Sequence, residues 1–63
     1  MKYKKGDIVT VTTLHEKHPQ QWQQEYQTGL VVEITDEAIK IMIREGNVIS
    51  ISRRQIMQVV VKE

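Results

Sequence analysis

An all-β fold of five strands is what the sequence predicts, and three observations predict it. Short valine- and isoleucine-rich runs recur with period-two alternation: Ile8-Val9-Thr10-Val11, Leu30-Val31-Val32-Glu33-Ile34, Ala38-Ile39-Lys40-Ile41-Met42-Ile43, Val48-Ile49-Ser50-Ile51 and Ile56-Met57-Gln58-Val59-Val60-Val61. Turn-forming residues separate several of them, as in Gly6-Asp7, Thr35-Asp36-Glu37 and Glu45-Gly46-Asn47. The chain has 63 residues and no cysteine, so it makes one domain, residues 1–63, near the lower size at which a chain folds without disulfides or metal. Its stability has to come from the apolar rows of those strands.

Taken in order, Lys2, Lys4 and Lys5 give a basic N-terminus that runs into the Gly6-Asp7 turn and then the first strand, Ile8 to Leu14. Val9 and Val11 are the inward pair of that strand, with Ile8 at the rim. Strand periodicity then stops between His15 and Thr28. A short helix fits there, because Pro19 suits a first helical turn, glutamine and glutamate are good helix formers, Gly29 stands where a left-handed terminator would, and Trp22 and Tyr26 are four apart. An extended, glutamine-rich loop is the rival reading of the segment.

The stretch Gly29–Ser52 reads as a three-stranded meander. Pairing Ile34 with Ile39 sets Val32 opposite Ile41 and Leu30 opposite Ile43 on one face, and on the other it sets Glu33 opposite Lys40 and Val31 opposite Met42. A three-residue loop, Glu45-Gly46-Asn47, then pairs Arg44 with Val48, Ile43 with Ile49, Met42 with Ser50 and Ile41 with Ile51, with Gly46 or Asn47 taking the positive φ. The expected inward set is Leu30, Val32, Ile34, Ile39, Ile41, Ile43, Ile49 and Ile51. Ser52-Arg53-Arg54-Gln55 has the length of one tight helical turn, and the last strand follows it.

Strand, long loop, three-stranded meander, 3₁₀-like turn and final strand together resemble the SH3-like small barrel over nearly the whole chain. Lys5-Gly6-Asp7-Ile8-Val9-Thr10-Val11 resembles the first strand of bacterial barrels of this kind, KOW-type domains among them. Gly29-Leu30-Val31-Val32-Glu33-Ile34 with Ile56-Met57-Gln58-Val59 resembles the core of YolD-like proteins and, more loosely, of Sm-like folds. The chain departs from the KOW pattern at its second glycine-rich element, where it carries His18-Pro19-Gln20, and it lacks the acidic and aromatic residues with which eukaryotic SH3 domains hold proline-rich peptides. What the resemblance implies is a five-stranded SH3-like small barrel whose long first loop has room for a short helix. It carries over no functional residue.

Several function classes are disfavoured. No apolar run reaches the ~18 residues that span a bilayer, and Met1-Lys2-Tyr3-Lys4-Lys5 is followed by Gly6-Asp7 instead of a signal-peptide apolar region, so the expectation is a soluble, cytoplasmic protein with no membrane partner. His15 and His18 have a spacing that metal ligands use, but no third ligand is evident, so neither metal nor cofactor is expected. Asp7, Asp36, Glu37 and Glu45 fall in turns, and Ser50 and Ser52 lack a nucleophile signature, so no catalytic residue is expected either.

A binding module remains. With a net charge of +1, overall charge is a weak guide, but Lys40 and Arg44 share one face of a strand and Arg53 and Arg54 follow it in the turn. Those four cations would contact phosphates, with Trp22, Tyr26 or Tyr3 stacking on unpaired bases, if the partner is nucleic acid or a nucleic-acid-bound protein. The plainer reading has Lys40 paired with Glu33, Arg44 beside Glu45, and the rest solvated. The alternative function is a small adaptor or inhibitor that binds a protein through the Trp22 loop and an outward apolar face of Val31, Met42 and Val48. Trp22 either plugs an open end of the barrel or is presented as an anchor. Val59-Val60-Val61 at a sheet edge invites pairing with another copy, a homodimer through the last strand, which Lys62 would blunt.

Overall fold

The computed structural model describes residues 3–62, with the side chains of Lys17 and His18 excepted. It contains β1 (Ile8–His18), β2 (Gln21–Ile34), β3 (Ala38–Met42), β4 (Val48–Ser52), a 3₁₀ turn (Arg53–Gln55) and β5 (Ile56–Lys62). All strand pairs are antiparallel, and they form one five-stranded sheet in the order β4-β3-β2-β1-β5. Among the described residues no ladder joins β4 to β5, so strand pairing does not close the sheet into a barrel.

Where a helix was expected, the chain instead turns back on itself as a hairpin. β1 and β2 stay paired from Ile8 opposite Leu30 out to His18 opposite Gln21, with an irregularity between Glu16 and His18. Pro19 and Gln20 make the tip, and Gln20 takes a φ of 68°. The physical reason is length: an isolated helix of so few residues is marginal in water, whereas each strand here gains a ladder and cross-strand partners. Gly29, expected as a helix terminator, lies inside β2. A Cβ there would sit 2.6 Å from the Met42 carbonyl oxygen, so glycine is needed for the close approach of β3.

Val9, Val11, Val31, Ile39, Ile41 and Ile51 form the buried core, with Tyr3, Ile43, Ile49, Ile56, Val59 and Val61 packed around it. Each fully buried valine or isoleucine contributes about 1.5–3 kcal/mol. The inward phase of β1 is the one the alternation predicts. In β2 it is not: Ile34 pairs with Ile39 and Glu33 with Lys40 as expected, but an irregularity between Val31 and Glu33 then places Val31 opposite Ile41 and Leu30 opposite Met42. Val31 is therefore 1% exposed in the core, while Leu30 and Val32 are half-buried and Ile34 lies exposed at the strand end. One extra residue at Val32 reverses the alternation.

The β3–β4 loop has three residues, as expected, but they are Arg44, Glu45 and Gly46. Ile43 N–H donates to the Asn47 carbonyl at 2.9 Å, Gly46 N–H donates to the Ile43 carbonyl at 2.8 Å, and Gly46 has a φ of 87°. Ile41 accordingly faces Ile49, and Met42 faces Val48. The inward residues are unchanged by this slide, because it moves the register by an even number.

Candidate interaction surface

Outer-face side chains can be followed strand by strand, since residues directly opposite in an antiparallel ladder share a face. One row crosses all five strands: Lys62, Ile8, Leu30, Met42 and Val48 are successive partners on β5, β1, β2, β3 and β4. Ile8 is 48% exposed, Met42 37% and Val48 54%. Ile8, Leu30 and Met42 floor an open groove of about 580 Å³ whose lining includes Arg44 and Lys62. The expected Val31/Met42/Val48 face is thus corrected to Ile8/Leu30/Met42/Val48, with Val31 removed to the core by the bulge.

Beyond the body of the sheet the hairpin continues alone. β5 pairs with β1 only as far as Thr13 opposite Ile56, and β3 pairs with β2 only from Leu30 onward. The arm runs from Leu14 to Gln27: it is two-stranded where residues 14–18 meet residues 21–24, and at its base residues 25–27 pair with β1 residues that β5 backs, in a molecule of 36 × 26 × 20 Å. Glu16 and Trp22, Leu14 and Gln24, and Thr12 and Tyr26 are opposite one another, so Trp22, Gln24 and Tyr26 share the outer face. Trp22 is 60% exposed and Tyr26 65%, which excludes Trp22 as a plug. The Tyr26 hydroxyl donates to Gln24 Oε1 at 3.3 Å, and Gln24 Nε2 donates to Met57 Sδ at 3.7 Å, which brings Met57 to the same face.

The arm's inner face is tied to the body by a polar cluster. His15 Nε2 lies 3.1 Å from Thr13 Oγ1 and 3.3 Å from Glu25 Oε1, and Gln55 Nε2 lies 3.4 Å from His15 Nδ1. Gln55 thus faces Nδ1, while Thr13 and Glu25 share Nε2. Hydroxyl, imidazole and carboxylate thus meet in a cleft of about 170 Å³. Both partners use the same ring nitrogen, so the arrangement lacks the two-sided relay by which an acid orients a base toward a nucleophile. It works as a clip between β1, β2 and the end of the 3₁₀ turn. The second metal-ligand candidate, His18, has its side chain outside the described residues, and no group of three potential ligands occurs among those described.

The cations expected to gather do not form one cluster. Lys40 Nζ is 3.5 Å from Glu33 Oε1, the cross-strand pair the sequence predicted. Arg53 Nε donates to the Thr35 carbonyl at 2.8 Å, and its N–H donates to the Glu37 carbonyl at 3.0 Å, so this residue pins the β2–β3 turn to the 3₁₀ turn. Arg54 is exposed, and its N–H is capped by Ser52 Oγ at 3.3 Å. Arg44 stands in the β3–β4 loop, at the end of β3 away from the β2–β3 turn that Arg53 pins. Trp22 and Tyr26 lie out on the arm, Trp22 roughly 26 Å along β2 from Leu30. Tyr3 packs against the core with its hydroxyl buried and without a hydrogen-bond partner.

Ile8 and Met57 join this surface without having been singled out for it in the sequence, as do Lys62, named there for the edge of the last strand, and Leu30, expected inward. The signal for Ile8 was its place at the rim of β1; the others depend on registers that the ladders define. Scans of the chain against family models, curated proteins and solved structures find no match. The functional reading therefore rests on the chain's own geometry.

Proposed function

We propose that the chain is a non-enzymatic binding module of the SH3-like small-barrel type that docks a protein partner on the outer face of its sheet. The observation that carries this is the placement of the exposed apolar side chains. Ile8, Trp22, Tyr26, Met42, Val48 and Met57 all reach that one face, from the arm across to β4. A soluble protein that collects large apolar side chains on one face usually covers them with something. The surface is also generous. Its accessible area is 4967 Å², where roughly 4,200 Å² is expected for a compact 7.4 kDa monomer. A cysteine-free chain suits a reducing compartment, and the cytoplasm is the address we propose for it.

Nucleic acid is the second reading, favoured by one observation: among the described residues Arg44, Arg54 and Lys62 make no ion pair. It ranks second because Lys40 is paired, Arg53 is engaged by backbone carbonyls, and the aromatic side chains stand apart from both. One experiment separates the two. The labelled chain is titrated with a mixed-sequence single-stranded oligonucleotide at low and moderate salt, and in parallel used to capture partners from a cell extract. The protein reading expects a specific bound protein that resists salt and is lost with Met42→Asp, with Arg54→Ala retained. Salt-sensitive oligonucleotide shifts at Arg44, Arg54 and Lys62, lost with Arg54→Ala, would overturn it in favour of nucleic acid.

A further inference from the structure

We infer that the arm is a self-association element: two copies pair through the free edge of β2 in a symmetric antiparallel ladder centred on Gln24. This goes beyond the docking of a protein partner and does not depend on it. From Gln21 to Thr28, β2 has β1 on one side and no strand on the other, since β3 begins pairing at Leu30 and no other backbone hydrogen bond reaches this segment among the described residues. Such an edge is a template for another strand unless charge, proline or a bulge guards it. Gln21-Trp22-Gln23-Gln24-Glu25-Tyr26-Gln27 contains no lysine, arginine or proline, and its one charged side chain, Glu25, is turned to His15 Nε2 at 3.3 Å. The arm's other edge, on β1, is guarded by the irregularity between Glu16 and His18.

The register follows from the residues. A two-fold axis at Gln24 sets Trp22 opposite Tyr26 of the second copy, twice, and Gln23 opposite Glu25, also twice. Aromatic side chains directly opposite on one face are among the favourable cross-strand pairs, and the glutamate meets an amide. Moving the axis to Glu25 would put the two carboxylates opposite each other, and moving it to Gln23 would leave Trp22 opposite Gln24. Only the axis at Gln24 pairs both aromatics and separates both acids. Symmetric, self-complementary pairing of this kind is how most two-subunit proteins are built. It also accounts for large side chains left exposed on a strand whose backbone is unpaired along one edge. In the pair, the two outer faces run on into one another, with four aromatic rings at the centre.

Because the chain has no cysteine, one introduced thiol gives a clean test. Gln24→Cys is oxidised in dilute solution beside Val60→Cys, which reports instead on pairing through β5, and the mass of the unmodified protein is followed by sedimentation over a concentration series. The expected result is a two-copy species near twice 7.4 kDa, rapid crosslinking of Gln24→Cys, and slow crosslinking of Val60→Cys. Gln24→Lys, which places like charges at the axis, and Trp22→Ala should each raise the dissociation constant at least tenfold, with an unchanged circular dichroism spectrum. A one-copy mass at millimolar concentration overturns the inference, as does preferential crosslinking through Val60→Cys. Met42→Asp separates this from the partner-docking reading: it should abolish partner capture and leave the two-copy mass intact.

Discussion

In the body of the sheet Val9, Val11, Val31, Ile39 and Ile41 turn to one side and lose nearly all contact with water, whereas in the arm the same alternation leaves Gln23 and Glu25 exposed on one side and Trp22 and Tyr26 exposed on the other. Both regions are antiparallel ladders. They differ in what backs them: the body's inner face closes over an apolar core, and the arm's inner face is backed by the His15 clip and the open cleft beside it. A two-stranded ribbon has marginal stability by itself, so the arm persists because the body anchors one end of it. The body stores the stability, and the arm spends little of it on holding aromatic side chains in water.

The strongest way to break that contrast is to empty the core. Ile41→Ala removes a fully buried side chain and should destabilise the fold by about 2–5 kcal/mol, comparable with the whole stability of a domain this small. Urea denaturation followed by circular dichroism should find much of the variant unfolded without denaturant; a loss under ~1 kcal/mol would mean that the core is not where stability resides. Next comes the glycine where arm meets body. Gly29→Ala drives a Cβ against the Met42 carbonyl at 2.6 Å, which should cost about 1–3 kcal/mol in the same measurement.

Smaller effects sharpen the comparison. Arg53→Ala removes the hydrogen bond to the Thr35 carbonyl and should cost about 1 kcal/mol, whereas exposed Arg54→Ala should stay within about 0.5 kcal/mol of the parent. Equal losses for the two would contradict the pinning role assigned to Arg53. Trp22→Ala should change stability least, by less than about 0.5 kcal/mol at concentrations where the chain is monomeric. Under those conditions amide exchange should run roughly a hundredfold faster at Gln23–Tyr26 than in β3. Arm amides as protected as those of β3 would erase the distinction between the two regions.

Much of the body was legible because its alternation is strong. The phase of β1, the Ile34–Ile39 and Glu33–Lys40 pairs, the length of the β3–β4 loop, the 3₁₀ turn and β5 all follow from spacing and turn residues. The arm was not legible, because its strands bury no apolar row. Glutamine and glutamate favour helices when nothing else votes, and the cross-strand partners that decide the matter are distant in sequence. The bulge was hidden by Leu30-Val31-Val32, three consecutive apolar residues that fit either phase. The slide in β3–β4 was hidden because every second residue on both strands is apolar, so pairings two apart satisfy the same pattern. For the candidate surface, the Met42–Val48 neighbourhood came through, but the placement of Val31 fell with the bulge. The engagement of Arg53 could not be read from a run of adjacent basic residues.

The bulge at Val32 also governs how the hairpin can change length. It is a local correction of phase, so the part of β2 before it and the part after it keep separate registers. Residues added to the arm near its tip leave the pairing of β2 with β3 untouched. The aromatic face is counted from the body, so additions at the tip keep Trp22 and Tyr26 outward, whereas one residue added to each strand between the Ile8–Leu30 pair and the Thr12–Tyr26 pair would turn both to the other side. Arm length can therefore vary at Pro19-Gln20 with the tryptophan still outward, while a library built at the base of the arm would alternate between variants that present it and variants that turn it inward.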